Sequence, residues 1–75
     1  MPSDKSISRL VRTLRGRMGL TQEKFAARLG VTYPTVNRWE NGRARPSPLA
    51  MRQLKELACQ LGDTRLMKQH FADSQ

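Results

Sequence analysis

Two short helical segments meet at Gly30, near the middle of the chain, and their junction is the feature that most restricts the fold. Thr21 and Thr32 precede these segments, and each can cap a helix because a threonine hydroxyl accepts a hydrogen bond from an unpaired backbone amide. Each predicted helix has only about two turns, which is too short for a helix to be stable alone in water. The two helices must therefore pack against each other and against the rest of the chain.

The residues at this junction fit a close, angled contact between the two helices. Ala26 is small enough for a close approach, and Gly30 accepts a positive φ that other residues resist. Val31 and Val36 are apolar and can fill the angle between the helices. This pattern predicts a helix-turn-helix, a motif whose second helix, here over residues 32–41, enters the major groove of DNA.

The rest of the sequence predicts an all-α fold, a compact bundle of about five helices. We expect a flexible arm over residues 1–5, the domain itself over residues 6–62, and a short helix and tail over residues 63–75. Apolar residues recur at helical spacing in the predicted first and fourth helices. These expected inward positions are Ile7, Leu10, Val11, Leu14 and Met18, and then Met51, Leu54, Ala58 and Leu61.

Apolar residues in the C-terminal segment have two interpretations. Leu66, Met67 and Phe71 either form a homodimer contact or cap the core of the monomer. An exposed apolar cluster usually marks an interface, which favours the dimer.

The composition favours a polyanionic partner. Fourteen Lys and Arg oppose six Asp and Glu, so the formal net charge is +8. Cys59 is the sole cysteine, which excludes an intrachain disulfide or a cysteine zinc cluster and fits a reducing, cytoplasmic location. The sequence has no apolar run long enough for a membrane span. It also has no nucleotide-binding loop, metal-ligand cluster or catalytic dyad, so we expect no enzymatic activity, no cofactor and no metal.

The segment from Leu20 to Leu49 resembles the phage repressor and Cro family, also called the XRE type of helix-turn-helix; it reads LTQEKFAARLGVTYPTVNRWENGRARPSPL. The resemblance covers about residues 6–62, and several separated motifs agree with it, including Gly30-Val31 and the Trp-Glu-Asn-Gly block at 39–42. It implies a lambda-repressor-like fold and DNA contacts of two kinds.

The first kind of contact is with DNA phosphates. Gln22, at the start of the second helix, and Asn41, just after the third, match residues that contact phosphate in the family. Arg43 and Arg45, in the following loop, are expected to meet phosphates too. Arg9, Arg12 and Arg17 of the first helix are either solvated surface or further DNA contacts.

The second kind of contact is with base edges. The matching stretch of the third helix comprises Tyr33, Pro34, Thr35, Asn37 and Arg38. Arg38 is the strongest candidate base reader, because a bidentate arginine–guanine pair is the commonest specific contact, although Arg38 could instead hold a phosphate. Pro34 departs from the polar residue often found there and is expected to touch a thymine methyl. For Tyr33 a base contact, a phosphate contact and a helix-capping role remain open.

The resemblance also implies a structural ion pair. Glu40 matches a glutamate that pairs with an arginine of the first helix, and Arg15 stands at the matching position. We therefore expect Glu40 to support the fold rather than to act as an acid catalyst.

Taken with the charge, the resemblance predicts a repressor of prokaryotic or phage origin that binds a roughly palindromic duplex operator as a homodimer. Two alternatives remain. One is an antitoxin that binds a toxin as its protein partner and represses its own operon, and the other is the DNA-targeting domain of a larger enzyme. An RNA-binding role is weaker, because nothing in the sequence resembles an aromatic platform.

Overall fold

The computed structural model describes residues 4–62 of the 75-residue chain, with side chains described from residue 6 onward. This part of the chain contains four helices and no strand: α1 (Asp4–Met18), α2 (Gln22–Leu29), α3 (Tyr33–Glu40) and α4 (Pro48–Gln60). The predicted all-helical class is confirmed for these residues. The expected fifth helix, with Leu66, Met67 and Phe71, lies outside the described residues.

Helix α1 begins at Asp4, two residues earlier than expected and inside the predicted arm. Residues 1–3 of the predicted arm lie outside the described residues.

A single apolar core joins the four helices. The expected stripe of α1 is buried from Ile7 to Leu14, and Met18 packs partly buried against the same core. The other helices contribute Phe25, Ala26, Leu29, Val36, Trp39, Ala50, Leu54, Leu57 and Ala58. Leu61 was expected to point inward, but it is 41% exposed, so that prediction was wrong. Helical spacing places Leu61 on the same side of the helix as Leu54. Spacing alone does not show how far along that side the helix is covered by other parts of the protein.

The turn between α2 and α3 forms as the sequence predicts. Thr21 caps α2 by accepting a hydrogen bond from the Lys24 amide at 3.1 Å. Gly30 ends α2 with a φ of 73°, in the left-handed region that favours glycine. The next amide, that of Val31, reaches back to the Ala26 carbonyl at 2.9 Å. The left-handed Gly30 and the bond from Val31 close the turn that leads from α2 to α3.

No described helix is both long and apolar enough to cross a membrane.

Candidate nucleic-acid interface

Helix α3 has an inward face and an outward face. Val36, Trp39 and Glu40 are buried against the other helices. Pro34 and Arg38, half a turn away from Val36, are exposed, and so is Tyr33 at the helix start. The buried side chains of α3 hold its backbone in place against the other helices. The three exposed residues, which are predicted to face bases, therefore extend from a helix whose position is fixed.

Thr35 and Asn37, the other two predicted base readers, are half-buried and have partners within the protein. The Thr35 hydroxyl lies 2.9 Å from the hydroxyl of Thr32, and the Thr35 amide donates to the same Thr32 oxygen at 3.4 Å. Thr35 therefore supports the start of α3. Asn37 lies toward the beginning of α2, where Gln22 contacts it.

The loop after α3 presents two arginines on its outer side. Ala44 is half-buried and packs against the core, and Pro46 is buried. Arg43, just before Ala44, and Arg45, between Ala44 and Pro46, are exposed. The Arg43 amide donates to the carbonyl of Arg38 at 2.9 Å, which ties the loop to the end of α3. The predicted phosphate contacts Asn41, Arg43 and Arg45 are therefore exposed in the segment that directly follows α3.

A buried carboxylate joins α1 to α3. Glu40 is only 3% exposed, and Arg15 binds both of its carboxylate oxygens: Nε donates to Oε2 at 2.6 Å and Nη2 to Oε1 at 3.0 Å. Arg15 Nη1 also donates to the carbonyl of Leu20 at 3.2 Å, just before α2. The Ser8 hydroxyl donates to the Glu40 backbone carbonyl. This bidentate pair clamps α1, the start of α2 and α3 together.

The pKa of Glu40 lies below the ordinary value for a glutamate. Burial alone would raise this pKa, but hydrogen bonds from Arg15 and Gln22, together with the charges of Arg15 and Arg12, outweigh burial. The same contact raises the pKa of Arg15, because its guanidinium donates hydrogen bonds to Glu40. Glu40 is therefore ionised at neutral pH and acts as a fixed acceptor.

Gln22 extends this contact toward the outward face of α3. Its Nε2 donates to Glu40 Oε1 at 3.1 Å, and its Oε1 accepts from Asn37 Nδ2 at 3.3 Å. Asn41 Nδ2 then donates to the Asn37 carbonyl at 2.9 Å and to Asn37 Oδ1 at 3.1 Å. We call the four residues Glu40, Gln22, Asn37 and Asn41 the amide row.

Sequence reasoning missed the amide row. The four-residue spacing of Asn37 and Asn41 is a usable signal, because such residues are neighbours on a helix surface. No local signal links Gln22 to Glu40, since the two lie on different helices, 18 residues apart in the chain.

An open groove of about 580 Å³ lies between α1 and the end of α3. Its walls include Arg9, Arg12, Asn41 and Gly42. Arg12 Nε lies 3.9 Å from Glu40 Oε1, and its side chain is 59% exposed. The groove therefore places two arginines of α1 beside the predicted phosphate contact Asn41.

Comparisons with known proteins agree with this geometry. The family profile described as "Helix-turn-helix" matches residues 11–62, which is more than half of the chain. A curated relative from Methanothermobacter thermautotrophicus, described as an uncharacterized HTH-type transcriptional regulator, is 50% identical over 38 residues. That match covers 51% of this chain and 55% of the relative, so it spans about half the length of each. No solved structure matches the chain.

The family match covers more than half of the chain, and the described residues form four helices that include the α2–α3 turn. The protein therefore belongs to the helix-turn-helix family, of the XRE type.

Proposed function

We propose that this protein is a transcriptional regulator that binds double-stranded DNA by inserting α3 into the major groove. The observation that carries the proposal is the division of α3 into a buried anchor, Val36 and Trp39, and an exposed face that bears Arg38. The relative described as an HTH-type transcriptional regulator supports the regulatory role.

Phosphate contacts would hold α3 in register. Gln22 lies at the start of α2, and Asn41, Arg43 and Arg45 lie just beyond the end of α3, so candidate phosphate contacts flank the base-facing residues. Contacts to phosphate fix orientation, whereas contacts to base edges supply sequence preference. The net charge of +8 supports strong attraction to the duplex.

We further propose that a homodimer binds a roughly palindromic operator and represses transcription. Two subunits related by a two-fold axis would place their recognition helices in successive major grooves, about 34 Å apart on one face of the duplex. Such a complex would block access of polymerase to an overlapping promoter.

Selection of bound sequences from a random duplex pool tests this function. We expect enrichment of a consensus with two inverted half-sites. A matched selection uses the double variant Arg38→Ala and Asn37→Ala, which removes the exposed Arg38 and the half-buried Asn37 but keeps the buried anchor Trp39. This variant should lose the consensus while the protein stays helical. If the wild-type protein enriches no sequence, or binds single-stranded RNA better than duplex DNA, the proposed function is wrong.

A further inference from the structure

We propose that Glu40 and Gln22 act as specificity-determining positioning residues, which orient the Asn37 side-chain amide so that it selects adenine over guanine. Neither residue needs to touch a base for this role. The inference rests on the proposed function and deepens it.

The hydrogen bonds of the amide row can run in only one direction from donor to acceptor, because the row begins at the carboxylate of Glu40. An ionised carboxylate can accept hydrogen bonds but cannot donate them, so Gln22 must turn its NH₂ group toward Glu40. The Gln22 oxygen then faces Asn37 and requires a donor there, which is Asn37 Nδ2. The opposite orientation of Gln22 would bring its oxygen against the Glu40 carboxylate.

The orientation of Asn37 is fixed from its other side as well. Asn37 Oδ1 accepts a hydrogen bond from Asn41 Nδ2 at 3.1 Å, and Asn37 Nδ2 donates to Gln22 Oε1 at 3.3 Å. A flipped Asn37 would place two NH₂ groups together on the Asn41 side and two oxygens together on the Gln22 side. Each contact therefore opposes the flip.

What remains free on Asn37 determines which base it can recognise. An asparagine amide has two N–H donors and two acceptor lone pairs, and the row uses one of each. One donor and one acceptor remain. In the major groove adenine offers one acceptor, N7, and one donor, the N6 amino group, which this remainder matches.

Guanine does not match the remainder. It presents two acceptors in the major groove, N7 and O6, so an asparagine would need both N–H groups to satisfy it. Gln22 holds one of those two N–H groups. The row therefore removes the donor that would allow Asn37 to accept guanine.

The test measures binding of the full chain to the selected operator and to every single-base variant of one half-site. The variants are Asn37→Ala, Gln22→Ala and Gln22→Met, with Gln60→Ala as the matched control, because Gln60 is an exposed glutamine on α4. Gln22→Met keeps the side-chain length without the amide, so it provides the readout if Gln22→Ala melts below the assay temperature.

We expect wild type and Gln60→Ala to prefer adenine over guanine at one position per half-site by about 5- to 150-fold, the range of one good bidentate base contact. Asn37→Ala should lose this preference. The Gln22 variants keep Asn37 but should narrow the adenine-over-guanine ratio at that same position at least about fivefold, with the preferences at other positions unchanged.

Two results would overturn the inference. One is that Asn37→Ala leaves every base preference intact. The other is that the Gln22 variants retain the adenine-over-guanine ratio, which includes the case in which they weaken all sequences equally, as loss of a phosphate contact would. Each of these leaves the proposed function standing, provided that the wild-type protein discriminates among duplex sequences. A wild-type protein without sequence preference would instead overturn both.

Discussion

Replacement of Arg15 by alanine should destabilise the fold by about 3 kcal/mol. The Glu40 side chain is 4% exposed, and Arg15 supplies two of the three side-chain hydrogen bonds described for its carboxylate. Breaking a buried ion pair costs about 3–5 kcal/mol, since the remaining charge lacks compensation. We take the lower end, because Arg15 is itself 27% exposed and Arg12, at 3.9 Å, can move closer to Glu40.

Thermal melting followed by circular dichroism measures this loss. For a domain of this size about 1 kcal/mol corresponds to about 4–8 °C, so Arg15→Ala should melt about 12–24 °C below wild type. Arg12→Ala is the matched control: its ion pair is long and its side chain is 59% exposed, so its removal should cost about 0–1 kcal/mol.

A second control separates the buried charge from lost packing. In the double variant Arg15→Met and Glu40→Leu no charge is left unpaired, so most of the stability should return. Equal melting temperatures for Arg15→Ala and Arg12→Ala would refute the reasoning. So would a double variant that is no more stable than Arg15→Ala.

Stability in acid, the salt dependence of DNA binding and the oligomeric state provide further tests. The pKa of Glu40 is lowered in the folded state, so the ionised Glu40 contributes to the free energy of unfolding above about pH 4.5, the ordinary pKa, and this contribution is lost as pH falls through the folded pKa. The difference in stability between wild type and Arg15→Ala should therefore become smaller when both are melted in acid. A difference that does not change with pH would contradict this. Binding of the operator should weaken with salt with a slope of about −0.9 per phosphate contacted, so a dimer that neutralises roughly 6–10 phosphates should show a steep slope, and salt-independent affinity would count against the interface. Sedimentation should show that the protein is a dimer and that truncation after Gly62 weakens dimerisation. If the truncated protein dimerises as strongly as wild type, the interface does not involve Leu66, Met67 and Phe71.

The local features of the fold were predictable from the sequence because they depend on neighbouring residues. Thr21 caps α2 through an amide three residues away, and Gly30 ends that helix through its own φ. The stripe from Ile7 to Leu14 required only the helical period. Leu61 shows the limit of that period, which assigns a side of the helix but not the extent of its packed neighbour.

The candidate site was less predictable, because its contacts join residues far apart in the chain. Arg15 and Glu40 are separated by 25 residues, and only the family resemblance suggested that they meet. The same resemblance predicts a phosphate contact for Gln22, and that contact stays a prediction. A polar amide at a helix start has the same sequence signature whether it faces DNA or a buried carboxylate, so its contacts with Glu40 and Asn37 required the tertiary structure.

The most direct test of sequence-specific binding by α3 is the base preference of Arg38→Ala, compared with Arg52→Ala, which removes an exposed arginine from α4. Both variants should be measured on the selected operator, on each single-base variant of one half-site, and on random DNA. If Arg38 reads a base, its loss should cost about 1–3 kcal/mol on the operator and relax the preference at one position per half-site, while Arg52→Ala keeps every preference. A uniform loss across all sequences, with a salt slope lower by about one unit per contact, would contradict base recognition by Arg38.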